Sequence, residues 1–217
     1  MSARTDKLLN ELEIKSLLIR ERYYRDTHQW TNLRQSYHSD VSKTQIKISW
    51  SVRSPKLIIS TVNIPRYNGN IDGFVAGSEK MARSSASTSH AIQPVEVHIN
   101  GNKAVSESTG AIYARFKYQG TSYDCISYGR FISRLERDGN EWKMCTLEVI
   151  YDKDTIQPVT PGAATQIQLD PEARESYKCL HWVLAQNGYA IDRALPGTDQ
   201  PGSGEALMKE CFEWLGK

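Results

Sequence analysis

The chain has no apolar run approaching the ~20 residues of a membrane-spanning helix, so no spanning segment is expected. It has no G-x-G-x-x-G, P-loop, H-E-x-x-H or G-x-S-x-G pattern, and GNIDG is too short to signal phosphate binding. No nucleotide, flavin or metal is therefore expected, and any reaction is expected to run without a cofactor. The four cysteines, Cys125, Cys145, Cys179 and Cys211, stand far apart, with no CxxC pair and no histidine at ligand spacing. That argues against zinc and fits reduced thiols. The formal charge is only +2, with Lys and Arg scattered rather than in blocks. Nucleic acid is not an expected partner. The opening MSARTDKLLNELEIK is charged and lacks the apolar core of a secretory signal. These absences lead to the expectation of a soluble, cytoplasmic protein.

What is present is an ordinary globular composition, 39% hydrophobic and 24% charged over 217 residues. That length suits one full domain with an extension. Residues 5–26 read as a helix, with Leu8, Leu12, Ile19 and Tyr23 on one stripe and Ile14, Leu17, Leu18 and Tyr24 spread around it. WTNLRQSYH continues as a short helix, TQIKISWSV alternates like a strand, and IDGFVAGSEKMARSS reads as a third helix. Between them, residues 52–73 read as irregular, with a short strand at KLIIS.

The pattern then turns to four long strands, AIQPVEVHI, AVSESTGAIYARFKYQG, TSYDCISYGRFISRLER and WKMCTLEVIYDKD, joined at NGNK, YQGTS and DGNE. Such strands form an antiparallel meander that curves strongly. Helices at one end of a curved sheet make a cone with a pocket between them, a natural place for a small molecule. After the linker PVTPGAATQIQLDP come a helix within 170–191 and a short amphipathic helix, GEALMKECFEWLGK. The fold class is α+β: a cone-shaped half-barrel with N-terminal helices packed on a curved antiparallel sheet, plus a C-terminal helical extension. The expected division is 1–158 and 159–217, with the extension packing on the barrel or on a partner chain.

Asp26 falls on the stripe of Leu8, Ile19 and Tyr23, so its carboxylate is expected to point inward. A buried carboxylate needs a partner, a histidine or an arginine. His90, after a run of small residues and just before the first meander strand, is the candidate. A carboxylate bonded to one imidazole nitrogen fixes the tautomer and readies the other nitrogen to accept a proton. Alternation in CISYGRFIS places Tyr128 and Arg130 together, and facing inward they would supply a phenol and a cation. Facing water, they would make a cross-strand ion pair instead. Glu148 is a lone charge in an apolar strand, either a cavity acid or an arginine partner. Tyr24, Trp30 and Trp50 are read as core and pocket wall. His28, His38 and His98 are read as solvated.

RERYYRDTHQWTNLRQSYHSD followed by IKISW, with VHINGNKAVSEST, SYGRFISRLERDGNEWKM and EVIYDKDTIQPV, resembles the SnoaL-like branch of the nuclear-transport-factor-2-like superfamily over residues 8 to 158. Within it, YYRDTHQW and STSH are similar to the segments of scytalone dehydratase-type lyases that carry a catalytic aspartate and histidine, which fall on Asp26 and His90. Dehydrochlorinases of the superfamily use a similar pair. A second active-site histidine of the dehydratases has no counterpart near ARFKYQG, and Tyr128 and Arg130 stand where those enzymes carry serine and asparagine. The resemblance implies a homodimer and a lyase, isomerase or polyketide-type cyclase of secondary metabolism. It would abstract a proton beside a carbonyl of a small, apolar, oxygenated substrate, with dehydration first. The alternatives are epoxide-type hydrolysis through Asp26, Arg130 and Glu148, or a non-catalytic binding module.

Overall fold

The computed structural model describes residues 2–48, 67–83, 87–187 and 192–217. The KLIIS strand and Trp50 lie outside them.

Helix α1 (Ala3–Asp26) starts where the Ser2 side chain accepts the Thr5 amide at 3.2 Å, with Asp6 in its first turn. It ends before His28, which takes a left-handed φ of 59°. Helix α2 (Trp30–Gln35) is shorter than expected because the chain after it is tied to the sheet: the His38 amide donates to the Met144 carbonyl at 3.0 Å. His38 is buried rather than solvated, its Nδ1 accepting the Asp40 amide at 3.0 Å. Strands β1 (Gln45–Ile48) and β2 (Tyr67–Gly69) lead to α3 (Ile71–Ala82), which the Asn70 side chain caps.

The meander follows as β3 (Ser87–Asn100), β4 (Lys103–Tyr118), β5 (Thr121–Asp138), β6 (Glu141–Met144) and β7 (Thr146–Pro158). The strand order is β2-β1-β7-β5-β4-β3, with β6 also paired to β5. Two features differ from the expected four-strand meander. Cys145 breaks the last strand in two, its amide donating to the Arg134 carbonyl at 2.8 Å. Strand β1 pairs parallel to β7, so the sheet is mixed. Strand β3 also begins earlier than expected, which puts His90 inside it.

Curvature comes from small residues and bulges. Gly110 and Gly129 face each other across β4 and β5. A Cβ at Gly110 would lie 2.5 Å from the Ala91 carbonyl oxygen, and one at Gly129 2.7 Å from that of Ile150. The register shifts at Pro94/Glu96 and at Tyr128/Gly129. These features coil the sheet into an open cone rather than a closed barrel. Leu17, Leu33, Phe74, Phe131 and Leu147 fill the core between helices and sheet. Burying each such side chain stabilises the fold by about 1.5–3 kcal/mol.

The expected inner stripe of α1 is in fact its outer one. Leu8, Leu12, Ile19 and Tyr23 are exposed, whereas Ile14, Leu17, Leu18, Glu21, Arg22 and Arg25 face inward. The three charged residues can turn in because each finds a partner there. Glu21 takes the Arg22 guanidinium and the Tyr37 hydroxyl, and Arg25 bonds Thr88.

The C-terminal segment packs on both faces of the sheet. Helix α4 (Lys178–Gln186) is shorter than the expected 170–191, and its start is fixed by Asp154 of β7, whose carboxylate accepts the Leu180 amide at 2.7 Å. Leu180 and Leu184 join the core. Helix α5 (Ser203–Leu215) lays Leu207, Cys211 and Leu215 on Val105, Ile132 and Ile150 of the opposite face. It also covers His98, whose ring meets Phe212 edge-on at 5.0 Å. No helix among the described residues is long and apolar enough to cross a membrane.

Candidate active site

A cavity of about 70 Å³ lies between the helices and the concave face of the sheet. Its wall is chiefly apolar, with Phe74, Met81, Phe131, Leu147 and Val149 among its residues. Leu180, Val183 and Leu184 of α4 close one side, so the C-terminal segment helps to build it. The polar groups that reach it are few: Arg22, Arg25, Thr88, His90 and Asn187, besides Tyr151.

His90 and Asp26 meet at its edge. The His90 Nδ1–H donates to Asp26 Oδ1 at 2.8 Å, and the His90 main-chain amide donates to Oδ2 at 2.6 Å. The strand thus clamps both carboxylate oxygens while the carboxylate orients the ring. The pair is well shielded, with 8% of the His90 side chain and 13% of the Asp26 side chain exposed. Asp26 reaches this place although the stripe used to orient it faces outward. As the last residue of α1 it lies only about 40° from the inward row of Arg22 on the helical wheel.

Burial pushes the His90 imidazole down to about 4, and the nearby Arg25 and Arg22 charges push the same way, against the opposing pull of Asp26. Burial would raise Asp26, but the His90 side-chain and main-chain bonds and the Arg25 charge outweigh it and hold the carboxyl below its usual value. At neutral pH the pair is therefore a carboxylate and a neutral imidazole. With Nδ1 holding the proton, the Nε2 lone pair is free to act as a base.

The other expected site residues do not join them. Tyr128 and Arg130 lie on the outer face of β5: Tyr128 is 37% exposed, and Arg130 Nη1 bonds Glu107 Oε2 of β4 at 3.2 Å. The alternation was read correctly, but its other phase, that of Phe131, points into the cavity. Glu148 is buried on the face opposite Leu147 and Val149, 3.3 Å from Lys47 Nζ and 3.5 Å from Arg134 Nη2. It is an arginine partner, not a cavity acid. Asp26, Arg130 and Glu148 therefore form no common network. Tyr24 lines an outer groove beside Trp142, and Trp30 stacks on His28 at 5.2 Å; neither lines the cavity. Among the described residues no cluster of His, Cys, Asp and Glu could hold a metal.

Sequence reading missed Arg22, Arg25 and Thr88. The available signal was Arg22, four residues before Asp26 and so on its side of a helix, with Arg25 three residues after Arg22.

An open cone of helices and curved sheet is the fold of the nuclear-transport-factor-2-like superfamily. Residues 6–148 match the SnoaL-like domain, and the chain belongs to that family. Pea pathogenicity protein 2 of Fusarium vanettenii is 24% identical over 87% of this chain and 76% of its own length. An uncharacterised protein of Emericella nidulans is 25% identical over 88% of this chain and 80% of its own. The fold is similar to that of a provisionally assigned scytalone dehydratase from Novosphingobium aromaticivorans, with a TM-score of 0.54 and 17% identity over 74% of this chain and 99% of that one. It is also similar to a hexachlorocyclohexane dehydrochlorinase, with a TM-score of 0.52 and 15% identity over 76% of this chain and all of the other.

Proposed function

We propose that the protein is a cofactor-independent lyase or isomerase for small, largely apolar, oxygenated molecules of polyketide or terpenoid type, with His90 as base and Asp26 as its orienting partner. The observation that carries this reading is the 2.8 Å bond between His90 Nδ1 and Asp26 at the edge of the cavity. Two relatives in fold have names that denote eliminations, a dehydratase and a dehydrochlorinase, which supports elimination as the first choice.

In the dehydration, His90 Nε2 takes a proton from the carbon beside a substrate carbonyl. The C–H pair becomes the carbon–carbon double bond of an enolate, and the charge moves to oxygen. The carbonyl then re-forms, its neighbouring carbons keep a double bond, and a hydroxyl on the next carbon leaves with its bonding pair. It takes the proton from Nε2 and departs as water, returning His90 neutral. A histidine held near a pKa of 4 gives that proton back readily. Isomerisation would return the proton to a different carbon instead.

The test is solvent-deuterium exchange and water loss on a panel of apolar β-hydroxy ketones, read by mass spectrometry. Exchange is expected with the native chain and not with His90→Ala. Full exchange in both His90→Ala and Asp26→Asn would sink the mechanism.

A further inference from the structure

With Tyr128 and Arg130 on the outer face, the oxygen that becomes negative has lost its expected partners. The cavity offers others. Arg22 and Arg25 both form part of its wall, whereas their counter-ions Glu21 and Asp26 do not. Glu21 is turned away to Arg22 and Tyr37, and Asp26 to His90. The segments outside the described residues contain no aspartate or glutamate. The residues that line the cavity therefore include two arginines and a histidine and no carboxylate, although the charges of the four residues 21, 22, 25 and 26 cancel.

Arg25 is also poorly satisfied for a buried cation. Its Nη1 donates to Thr88 Oγ1 at 2.6 Å and, more distantly, to Asp26 Oδ1 at 3.4 Å. Among the described residues its Nη2 finds the Met81 thioether sulfur alone, at 3.4 Å. A thioether is a weak acceptor, and a charged donor left with one stands to gain from any oxygen that replaces it. In Arg22, Nε and Nη2 are both committed to Glu21, which leaves Nη1 outside that pair.

We propose that Arg25, with Arg22 beside it, is the oxyanion-holding wall of the site, and that the ligand is an apolar organic molecule bearing one delocalised oxyanion. That group is either a carboxylate or a carbonyl oxygen that turns into an enolate as His90 removes the proton. A planar guanidinium suits either, because two donors meet two oxygens or one oxygen from two sides. Thr88 fixes the guanidinium, and the shared Asp26 sets it next to the base. The assignment of His90 rests on the function proposed above, but the binding preference does not.

Binding of simple probes separates the two. The full chain is titrated with 4-nitrophenol, whose visible absorbance reports its ionisation, and with benzoate, against the neutral 4-nitroanisole and benzamide. The expected result is an about tenfold or greater preference for the anionic form of at least one pair. That preference should be lost in Arg25→Met and weakened in Arg25→Lys, which keeps the charge without the fork, while 4-nitroanisole binds as before. Arg22→Met with Glu21→Gln gives a second variant that leaves no unpaired buried charge, and it too should reduce the preference. Preference for benzoate would assign the wall to a permanent carboxylate, and preference for the phenolate alone to a developing oxyanion. Equal binding of anionic and neutral probes, or a preference that survives both arginine variants, would overturn the proposal. His90→Ala should keep the preference while losing exchange, so failure of the base and failure of the wall read differently.

Discussion

Two charge clusters, each built around buried members, lie on opposite faces of the same sheet. On the concave side are Glu21, Arg22, Arg25, Asp26 and His90; on the other are Lys47, Glu148, Arg134 and Glu210. The second is closed by α5, where Arg134 Nη2 bonds Glu210 at 2.8 Å and its Nε bonds the Cys211 sulfur at 3.4 Å. Its charges are directed at one another and at the helix above. The first opens on a cavity that Arg22, Arg25 and His90 line. Buried charge alone is thus no mark of a site, since structural networks perturb their members too. What separates the two is whether donors remain uncommitted next to empty space.

The largest effect expected from that difference is on chemistry. His90→Ala should lower turnover by about 10²–10⁴-fold, the worth of a positioned base, and Asp26→Asn by somewhat less. Circular dichroism should show both folded. Glu148→Gln should do the reverse. It leaves Lys47 without its carboxylate and Arg134 with Glu210 alone, and should cost about 1–3 kcal/mol in denaturant unfolding, with turnover per folded molecule unchanged. A loss of turnover there would break the comparison.

Acid should affect the concave cluster next. Folded His90 takes its proton only near pH 4, while an unfolded histidine does so near 6.5. Between those values the unfolded chain binds more protons, so stability should fall as the pH drops through that window, by up to about 3 kcal/mol. The depressed Asp26 acts in the same sense, its stabilisation also being lost as acid is added. The kcat/KM profile should stay level down to about pH 5 and fall toward 4. An acid limb near 6.5 would mean that His90 is not the base. The smallest effects should come from the outer face: Tyr128→Phe and Arg130→Met should change stability by less than about 0.5–1 kcal/mol and leave exchange intact.

How legible the site was differs residue by residue. Asp26 and His90 could be singled out because YYRDTHQW and STSH are similar to known segments, whereas the stripe that turned Asp26 inward lies on the outer side of α1. Arg22 and Arg25 could not, since arginines in a helix more often face water. Tyr128 and Arg130 were assigned to the wrong face. A period of two states which residues share a face, not which face is inside. The same holds for α1, whose apolar stripe suggested burial and is exposed.

By itself the sequence determined the order of elements, the turns of the meander and the residues that share each face, because these follow from local backbone preference and periodicity. Only the tertiary structure decided which face is the interior. Inside and outside are set by what packs against an element: Tyr37 and Thr88 receiving the charges of α1, Phe131 rather than Arg130 turned toward the helices, and α4 anchored by Asp154 against the cavity wall. Those contacts join residues from 16 to 63 positions apart, which no local pattern encodes.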